Sequence, residues 1–180
     1  MKRDYRLQGA SILLLLGAAG ASQAAPIACN SLLNTTIEGA TITTAQLNPA
    51  GAGLPDHCEV LGVINPRTGL DGQPYAIKLH LRMPTAWNER FYFQGGGGTD
   101  GNLGAATPAQ LGQGYAVVST DGGHDNTVNN TPLAGSFQFG FDPQARSDYG
   151  YNGPAQVASA AHNRLSTIIR LVRTTASNQS

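Results

Sequence analysis

A short apolar segment, Phe91-Tyr92-Phe93-Gln94, runs directly into four consecutive glycines, Gly95 to Gly98. Glycines after a strand let backbone N–H groups turn toward a small anion, because no Cβ atom is in the way. Such donors stabilise the oxyanion that forms when a nucleophile attacks an ester carbonyl, and losing one donor can cost about a hundredfold in rate. The run therefore favours an oxyanion-binding turn. A tight turn without a chemical role and a phosphate-binding loop stay open as alternatives.

The phosphate-binding alternative lacks most of its expected sequence. A Walker A loop ends in Gly-Lys-Ser/Thr, which this chain does not contain. Residues 96–101 fit the spacing of a dinucleotide fingerprint, but a run of glycines fits almost any glycine pattern. The N-terminus indicates an exported chain, for which NAD is an unexpected cofactor. We therefore expect no cofactor in this chain.

His124 follows a second apolar segment, 115–120, and is flanked by Asp121 and Asp125. Open α/β sheets place ligands at the ends of their strands, so a His–Asp pair here could serve a serine nucleophile. The favoured interpretation is structural, with His124 making local hydrogen bonds that shape the loop. In enzymes whose serine lies on a Gly-x-Ser-x-Gly elbow, the catalytic histidine follows the nucleophile in chain order, and His124 would precede it.

The expected nucleophile elbow, Gly-x-Ser-x-Gly, occurs nowhere in the 180 residues. Ser119 and Ser136 are candidate nucleophiles only because they are serines, without the flanking glycines. Arg146 lies between Asp142 and Asp148, which predicts a salt-bridged loop ahead of a helix, with substrate contact as the alternative. Four aromatic side chains could line a ring-binding site, although packing in the core or under a lid is favoured: Trp87, Phe137, Phe139 and Phe141.

Antiparallel strands are predicted in the first half of the chain. Segments 35–43 and 58–64 are β-prone, and turn sequences follow at 65–69 and 71–74. Segment 75–81 alternates apolar and polar residues, which predicts a half-exposed strand near a sheet edge.

Parallel strands and helices are predicted next. The apolar runs 91–94 and 115–118 are typical of strands buried on both faces, joined by a right-handed crossover with a short helix within 102–113. The clearest helix begins at Pro154 and continues with apolar residues at helical spacing through Val172. The predicted fold class is α/β, with a β-rich N-terminal segment leading into the first parallel strands and helices.

Charge and the N-terminus narrow the class of protein. Eleven basic and eleven acidic residues cancel, which argues against nucleic acid or an anionic membrane as the partner. Basic residues, a short apolar core and Ser22-Gln23-Ala24 form the pattern of a signal peptide, so residues 1–24 are predicted to be removed after Ala24. The apolar core is far shorter than the ~20 residues that span a bilayer. The mature protein is predicted to be secreted or periplasmic.

Cys29 and Cys58 are the only cysteines. In an exported protein an even pair most simply bonds to itself, which predicts a structural disulfide. A zinc site is disfavoured, because no C-x-x-C spacing is present and His57 beside Cys58 supplies too few ligands. No metal site is therefore predicted in this chain.

Several stretches, taken in order, resemble the tannase/feruloyl esterase family of secreted α/β-hydrolases. They are Cys58-Glu59-Val60 with Gly62-Val63-Ile64, then Asn65-Pro66-Arg67-Thr68-Gly69, Arg90-Phe91-Tyr92-Phe93-Gln94-Gly95-Gly96-Gly97-Gly98, Gly114-Tyr115-Ala116-Val117-Val118-Ser119-Thr120-Asp121-Gly122-Gly123-His124, and Phe141-Asp142-Pro143-Gln144-Ala145-Arg146-Ser147-Asp148-Tyr149-Gly150-Tyr151. Each stretch is a weak signal alone, and their common order makes the set specific.

The resemblance implies a truncated α/β-hydrolase fold, with 25–180 as the N-terminal portion of a catalytic domain. It implies a serine carboxylic ester hydrolase for aromatic esters, with small aromatic esters or phenolic-decorated polysaccharides as substrates. Gly96 and Gly97 become the oxyanion-hole candidates, and Cys29 with Cys58 matches a structural disulfide of the family. The catalytic serine, aspartate and histidine, and a lid domain that often holds calcium, would lie outside this chain.

Three functional hypotheses follow. The favoured one is the N-terminal part of a secreted aromatic-ester hydrolase, inactive by itself because it lacks the nucleophile. The second is a non-catalytic secreted protein that binds phenolic or glycan ligands without turnover. The third is an inactive truncation product with poor solubility.

Overall fold

A computed structural model describes residues 29–33, 36–37, 39–107 and 109–165 of the chain. The predicted signal peptide, 1–24, lies outside these residues, as does the predicted helix beyond Leu165. Within the described ranges, we find no helix with the length and apolar character needed to cross a membrane.

A mixed six-stranded sheet forms the centre of the structure, with strand order β1-β2-β3-β4-β6-β5. Neighbouring strands are antiparallel except β5 and β6, which run parallel. The strands are β1 (Thr36–Ile37), β2 (Ala40–Asn48), β3 (His57–Thr68), β4 (Pro74–Pro84), β5 (Phe91–Gln94) and β6 (Ala116–Thr120). The α-helices are α1 (Ala109–Gly112), α2 (Pro143–Ser147) and α3 (Gly153–Ser159).

The β2–β4 region confirms the predicted antiparallel strands and corrects their boundaries. The predicted strand 35–43 is divided between β1 and β2, with Gly39 between them at φ +80°. Strand β3 contains the predicted segment 58–64 but continues through the predicted turn at 65–69. The pairing of β3 with β4 shifts in register between Ile64 and Arg67. The predicted turn residues there form an irregularity within the strand pair, and the chain does not reverse at this point. The chain reverses at the second predicted turn, where Gly72 has φ +76°.

Strand β4 confirms the predicted half-exposed strand but corrects its predicted place near a sheet edge. It lies between β3 and β6. The apolar face, which carries Tyr75, Ile77, Leu79 and Leu81, is buried as predicted. On the second face Lys78 and Arg82 are half-buried and His80 is buried, and the polar side chains there are paired. His80, 8% exposed, lies within 2.8 Å of Glu59 Oε1, and Arg82 donates to the same oxygen. Alternation indicated the apolar face, but these long-range partners decided the strand's position.

The parallel pairing of β5 with β6 confirms the predicted crossover. Strand β6 is buried along its whole length, whereas every residue of β5 is half-buried. The prediction of two fully buried strands is therefore wrong for β5, because β5 forms an edge of the described sheet. The predicted helix within 102–113 is only the short α1, and the chain before it forms an irregular loop.

Helical structure begins earlier than predicted. Segment 143–165 is helical throughout, and Asp142 caps α2 by accepting a hydrogen bond from the Ala145 N–H. Pro154 therefore lies inside a helical segment, where it cannot donate the usual i→i−4 bond. A π-helical turn, Asp148–Asn152, precedes it, with the Gly153 N–H bonded to the Asp148 carbonyl. The predicted loop at 142–149 is therefore wrong.

The predicted disulfide between Cys29 and Cys58 is present, with the two Cα atoms 5.7 Å apart. Both cysteines are buried in the main apolar cluster, which also includes Ile42, Leu79 and Val157. The bond fastens the short 3₁₀ turn Cys29–Leu32 to the edge of β3. It therefore stabilises the scaffold on the side of the sheet away from β5.

Candidate functional site

The glycine loop, Gly95 to Gly98, leaves the C-terminal end of β5 and is exposed along its whole length. Within the described part of the chain, the N–H groups of Gly96 and Gly97 donate no hydrogen bond. The loop closes on itself when the Asp100 N–H donates to the Gly97 carbonyl at 3.0 Å. Backbone donors thus remain available to an external acceptor at a strand end, the arrangement that an oxyanion hole requires.

Two of these glycines serve different local needs. A Cβ atom at Gly96 would overlap the carboxylate of Asp100, whereas a Cβ at Gly97 would meet no atom within 4 Å. Gly98 has φ +63°, a conformation that glycine adopts without strain. The Asp100 carboxylate therefore covers one side of the loop, and burial raises its pKa. Gly97 presents its backbone to the open side.

The base of the loop is fixed by contacts from three other segments. The Gly101 N–H donates to the Asp121 carbonyl at 3.1 Å, and the Asn126 N–H donates to the Gly101 carbonyl at 2.8 Å. Tyr149 donates from its hydroxyl to the Gly98 carbonyl at 2.8 Å. These bonds tie the loop after β5 to the loop after β6 and to the π-helical turn.

His124 is 1% exposed and lies against this assembly by ring stacking. Its imidazole stacks on Phe139 with centroids 3.8 Å apart and meets Tyr149 edge-on at 5.7 Å. Neither ring nitrogen has a partner in hydrogen-bond geometry among the described residues. Burial lowers the pKa of His124, partly offset by the nearby Thr99 backbone and Asp125, so the ring is neutral at pH 7. The structural interpretation therefore holds, but through stacking rather than the local hydrogen bonds expected.

The structure forms no catalytic His–Asp pair at His124. The Asp125 carboxylate accepts a hydrogen bond from Lys78 Nζ at 2.5 Å. Burial alone would raise the pKa of Asp125. Hydrogen bonds from Lys78 and Thr127 outweigh that effect and lower the pKa to about 2. Asp121 accepts from the N–H groups of Lys78 and Gly123. Burial raises the pKa of Asp121 to about 6 despite these bonds. Both carboxylates are thus engaged elsewhere.

A pocket of about 210 Å³ lies beside these groups. Its walls include Tyr75, Lys78, Asp121, His124 and Val128. The described residues contain no cluster of three or more His, Cys, Asp or Glu side chains that could hold a metal ion.

Among the described residues, neither candidate serine donates its hydroxyl to a base, although His80 lies opposite Ser119 on the neighbouring strand. Ser119 is 1% exposed and donates to the Gly104 carbonyl at 2.9 Å, and Ser136 accepts from the Thr99 hydroxyl at 3.3 Å. Both hydroxyls serve to hold loops in place. The described residues therefore position a loop with free backbone donors and, among themselves, no activated serine.

Arg67, not Arg146, forms the ion pairs that the sequence predicted around Asp142. Arg67 Nη2 lies 2.7 Å from Asp142 Oδ1 and 3.8 Å from Asp148 Oδ2, whereas Arg146 donates to the Gly140 carbonyl at 2.6 Å. Burial alone would raise the pKa of Asp142, but bonds from Arg67, Leu70 and Ala145 lower it to about 2. The 75 residues between the partners explain why local spacing pointed to Arg146.

The four aromatic candidates divide into two classes. Trp87 and Phe139 are buried, as packing in the core predicts. Phe137 is 67% exposed and Phe141 is 64% exposed, so neither belongs to the core.

Comparison with known proteins gives a consistent result. The family model "Tannase and feruloyl esterase" matches residues 58–170. Over 125 residues, 64% of this chain, the sequence is 51% identical to mono(2-hydroxyethyl) terephthalate hydrolase of Piscinibacter sakaiensis and covers 21% of that protein. An uncharacterized esterase of Xanthomonas campestris pv. campestris is 31% identical over 87% of this chain and 30% of its own length. The chain thus spans less than a third of either relative.

A crystal structure of an esterase from Aspergillus oryzae is similar in fold. The TM-score is 0.60 at 16% sequence identity, and the match covers 79% of this chain and 30% of the esterase. This similarity, together with the mixed sheet and its parallel β5–β6 pair, supports the predicted α/β fold class.

Proposed function

Because the chain belongs to the tannase and feruloyl esterase family, as the sequence predicted, we propose that it supplies the oxyanion-binding part of a serine hydrolase for aromatic carboxylic esters. The observation that carries the proposal is the exposed glycine loop at the end of β5, whose Gly96 and Gly97 N–H groups have no internal acceptor. Attack on an ester carbonyl turns its oxygen into an anion. The Gly96 and Gly97 amides would donate to that oxygen as its charge develops.

The proposed nucleophile is a serine carried on a further parallel strand. Strand β5 is an edge of the described sheet and is half-buried on average, although its sequence is apolar throughout except Gln94. A strand paired there would cover Phe91 and Phe93 and would end beside the glycine loop, because parallel strands end at the same edge of a sheet. The geometry would place the serine next to the Gly97 amide. No residue of α1, α2 or α3 is assigned a role in bond breaking.

The proposed substrate class is an aromatic ester. The relative that is 51% identical is named for hydrolysis of mono(2-hydroxyethyl) terephthalate, an ester of an aromatic acid, and the matching family model is named for tannase and feruloyl esterase. The balanced net charge of this chain argues against nucleic acid as its partner. Small aromatic esters and phenolic esters on polysaccharides both remain within the proposal.

The proposed location is outside the cytoplasm, in the periplasm or the medium. The disulfide between Cys29 and Cys58 supports it, because such bonds persist in oxidising compartments. A calcium site, where the family has one, is proposed to belong to the lid domain, which would lie outside this chain.

The test measures ester hydrolysis by the full-length protein. Purified protein is incubated with mono(2-hydroxyethyl) terephthalate and methyl ferulate, with ethyl acetate as the aliphatic control, and the released acid is quantified. We expect hydrolysis of at least one aromatic ester and labelling of a serine by a fluorophosphonate probe. A folded protein that hydrolyses neither aromatic ester contradicts the proposal. Binding of ferulate without turnover would support the non-catalytic alternative instead.

A further inference from the structure

We propose that Tyr149 is a positioning residue that holds the glycine loop in the conformation needed for oxyanion binding. Its hydroxyl donates to the Gly98 carbonyl at 2.8 Å, across 51 residues of sequence. Within the described part of the chain, it is the only side chain that donates a hydrogen bond to a carbonyl of the four glycines. The inference rests on the proposed function of that loop.

The Tyr149 ring is itself held from several sides. It packs against Phe139 with centroids 5.0 Å apart and against His124 at 5.7 Å, and those two rings stack on each other. Gly122 lets the ring approach closely, because a Cβ there would lie 3.3 Å from Tyr149 Cδ2. The buried, neutral imidazole of His124 therefore packs against one side of the Tyr149 ring. This role accounts for a buried imidazole whose nitrogens are not used.

The backbone of Tyr149 is fixed as firmly as its ring. The preceding residue, Asp148, is 3% exposed and accepts hydrogen bonds from Gln144 and Asn152. Gly123, at φ +95°, lets this turn approach the loop after β6, since a Cβ there would lie 2.6 Å from Asp148 Cβ. The phenol hydroxyl thus projects toward the glycine loop from a rigid base.

A fixed carbonyl determines the direction of the neighbouring amide. In a trans peptide the Gly98 carbonyl and the Thr99 N–H point in opposite directions, so holding one orients the other. The Asp100 N–H then closes the turn on the Gly97 carbonyl at 3.0 Å. Glycine residues lose more conformational freedom on ordering than any other residue, so an external anchor matters most in a glycine run. Removing the anchor should leave the loop present but less often in the productive conformation.

The variant Tyr149→Phe removes the hydroxyl and keeps the ring stack. The matched control is Tyr151→Phe, because Tyr151 is 79% exposed and its hydroxyl has no hydrogen-bond partner among the residues described. Both variants are made in the full-length protein. Kinetics are measured with an aromatic ester that the unmodified protein hydrolyses, and amide hydrogen exchange is followed at Asp100 and Gly101.

We expect Tyr149→Phe to lower kcat about tenfold with KM changed less than about twofold, as loss of one hydrogen bond that acts on the transition state predicts. Exchange at the Asp100 amide should be about fivefold faster. The unfolding midpoint and the behaviour of Tyr151→Phe should stay close to those of the unmodified protein. A purely structural role would instead lower the unfolding midpoint without the selective change in kcat.

The two proposals fail in different ways. If the unmodified protein hydrolyses no aromatic ester, the proposed function fails. Hydrogen exchange at the Asp100 amide then tests by itself whether Tyr149 holds the glycine loop. If hydrogen exchange at the Asp100 amide is unchanged in Tyr149→Phe, the claim that the Tyr149 hydroxyl holds the glycine loop is overturned, whatever the activity of the variant. Unchanged kcat with faster exchange would also overturn the positioning role, because the loop would then be ordered without consequence for catalysis.

Discussion

Strands β3 and β4 differ from the loops that follow β5 and β6 in how many of their buried polar groups are hydrogen-bonded. Glu59 on β3 is bonded to Asn48, His80 and Arg82, and although burial alone would raise its pKa, these bonds lower it to about 2. In the loops, Asp121 Oδ2 and both His124 nitrogens are buried without a hydrogen-bond partner among the described residues, although Asp121 Oδ2 lies 3.9 Å from Lys78 Nζ. On β3, the Arg67 Nε atom is also buried without such a partner. An unpaired buried polar atom costs free energy that a paired one does not.

Positive φ angles are more frequent in the loops, although Asn65, at the register shift within β3, also has φ +50°. Asp100 and Ala106 have positive φ although they carry side chains, and Gly98, Gly101, Gly122 and Gly123 do so within the same loops. Local strain of this kind persists only where the surrounding structure fixes it, and it concentrates at functional sites. The comparison indicates that β3 and β4 stabilise the fold, and that the loops hold exposed backbone N–H donors in place at some cost in stability.

The largest expected effect on stability comes from the sheet. Leu79 is 0% exposed at the centre of β4, so Leu79→Ala should lower the free energy of unfolding by about 4 kcal/mol. The control, Leu70→Ala, removes the same atoms from a side chain that is 83% exposed and should cost less than about 0.5 kcal/mol. Urea unfolding of the full-length protein measures both. Similar losses in the two variants would contradict the placement of the core.

The disulfide should rank next. Replacing Cys29 and Cys58 together by alanine opens a loop with a sequence separation of 29 and should cost about 3 kcal/mol in the free energy of unfolding. Reduction of the unmodified protein provides the matched comparison and should give a similar loss. No change in urea midpoint after either treatment would show that the bond does not stabilise the scaffold.

Asp142 links the sheet to the loops and should give a smaller, pH-dependent effect. Its folded pKa of about 2 lies below the usual 3.8, so the charged form adds stability above pH 4 that is lost as pH falls toward 2. Asp142→Asn should therefore cost about 2 kcal/mol at pH 7. The difference from the unmodified protein should shrink between pH 4 and pH 2. A difference that stays constant over that range would exclude the Arg67 ion pair as its source.

The sequence predicted the scaffold better than the contacts between distant segments. Alternation in 75–81 identified the apolar face of β4 correctly, because burial of that face is a local property. The same pattern misplaced β4 at an edge, because the pairing of His80 with Glu59 is not visible in local sequence. The Arg67–Asp142 pair was missed for the same reason.

The candidate site was predictable in part. Four consecutive glycines after an apolar segment predicted a strand-end loop with free backbone donors, which the structure contains, while oxyanion binding by that loop stays a prediction. Nothing in the local sequence indicated that Tyr149 would reach Gly98 or that His124 would stack on Phe139. Pro154, with Gly153 directly before it and Gly150 three residues earlier, is the one signal that could have suggested the irregular turn that carries Tyr149.

The smallest expected effect on stability lies at the open side of the glycine loop. Gly97 does not have a positive φ, and a Cβ there would meet no atom within 4 Å. Gly97→Ala should therefore change the free energy of unfolding by less than about 0.5 kcal/mol. Gly96→Ala should cost more, because its Cβ would overlap Asp100. Thermal unfolding of the two variants compares them directly, and equal losses would contradict the described loop.

The most direct test of the central claim compares kcat for Gly97→Pro with kcat for Gly97→Ala in the full-length protein, using an aromatic ester. Alanine keeps the backbone N–H at this position, whereas proline removes it. If that N–H stabilises the oxyanion, kcat of Gly97→Pro should be about a hundredfold lower than that of Gly97→Ala, with similar unfolding midpoints. Equal kcat values in two folded variants would contradict the assignment of Gly97 as an oxyanion donor.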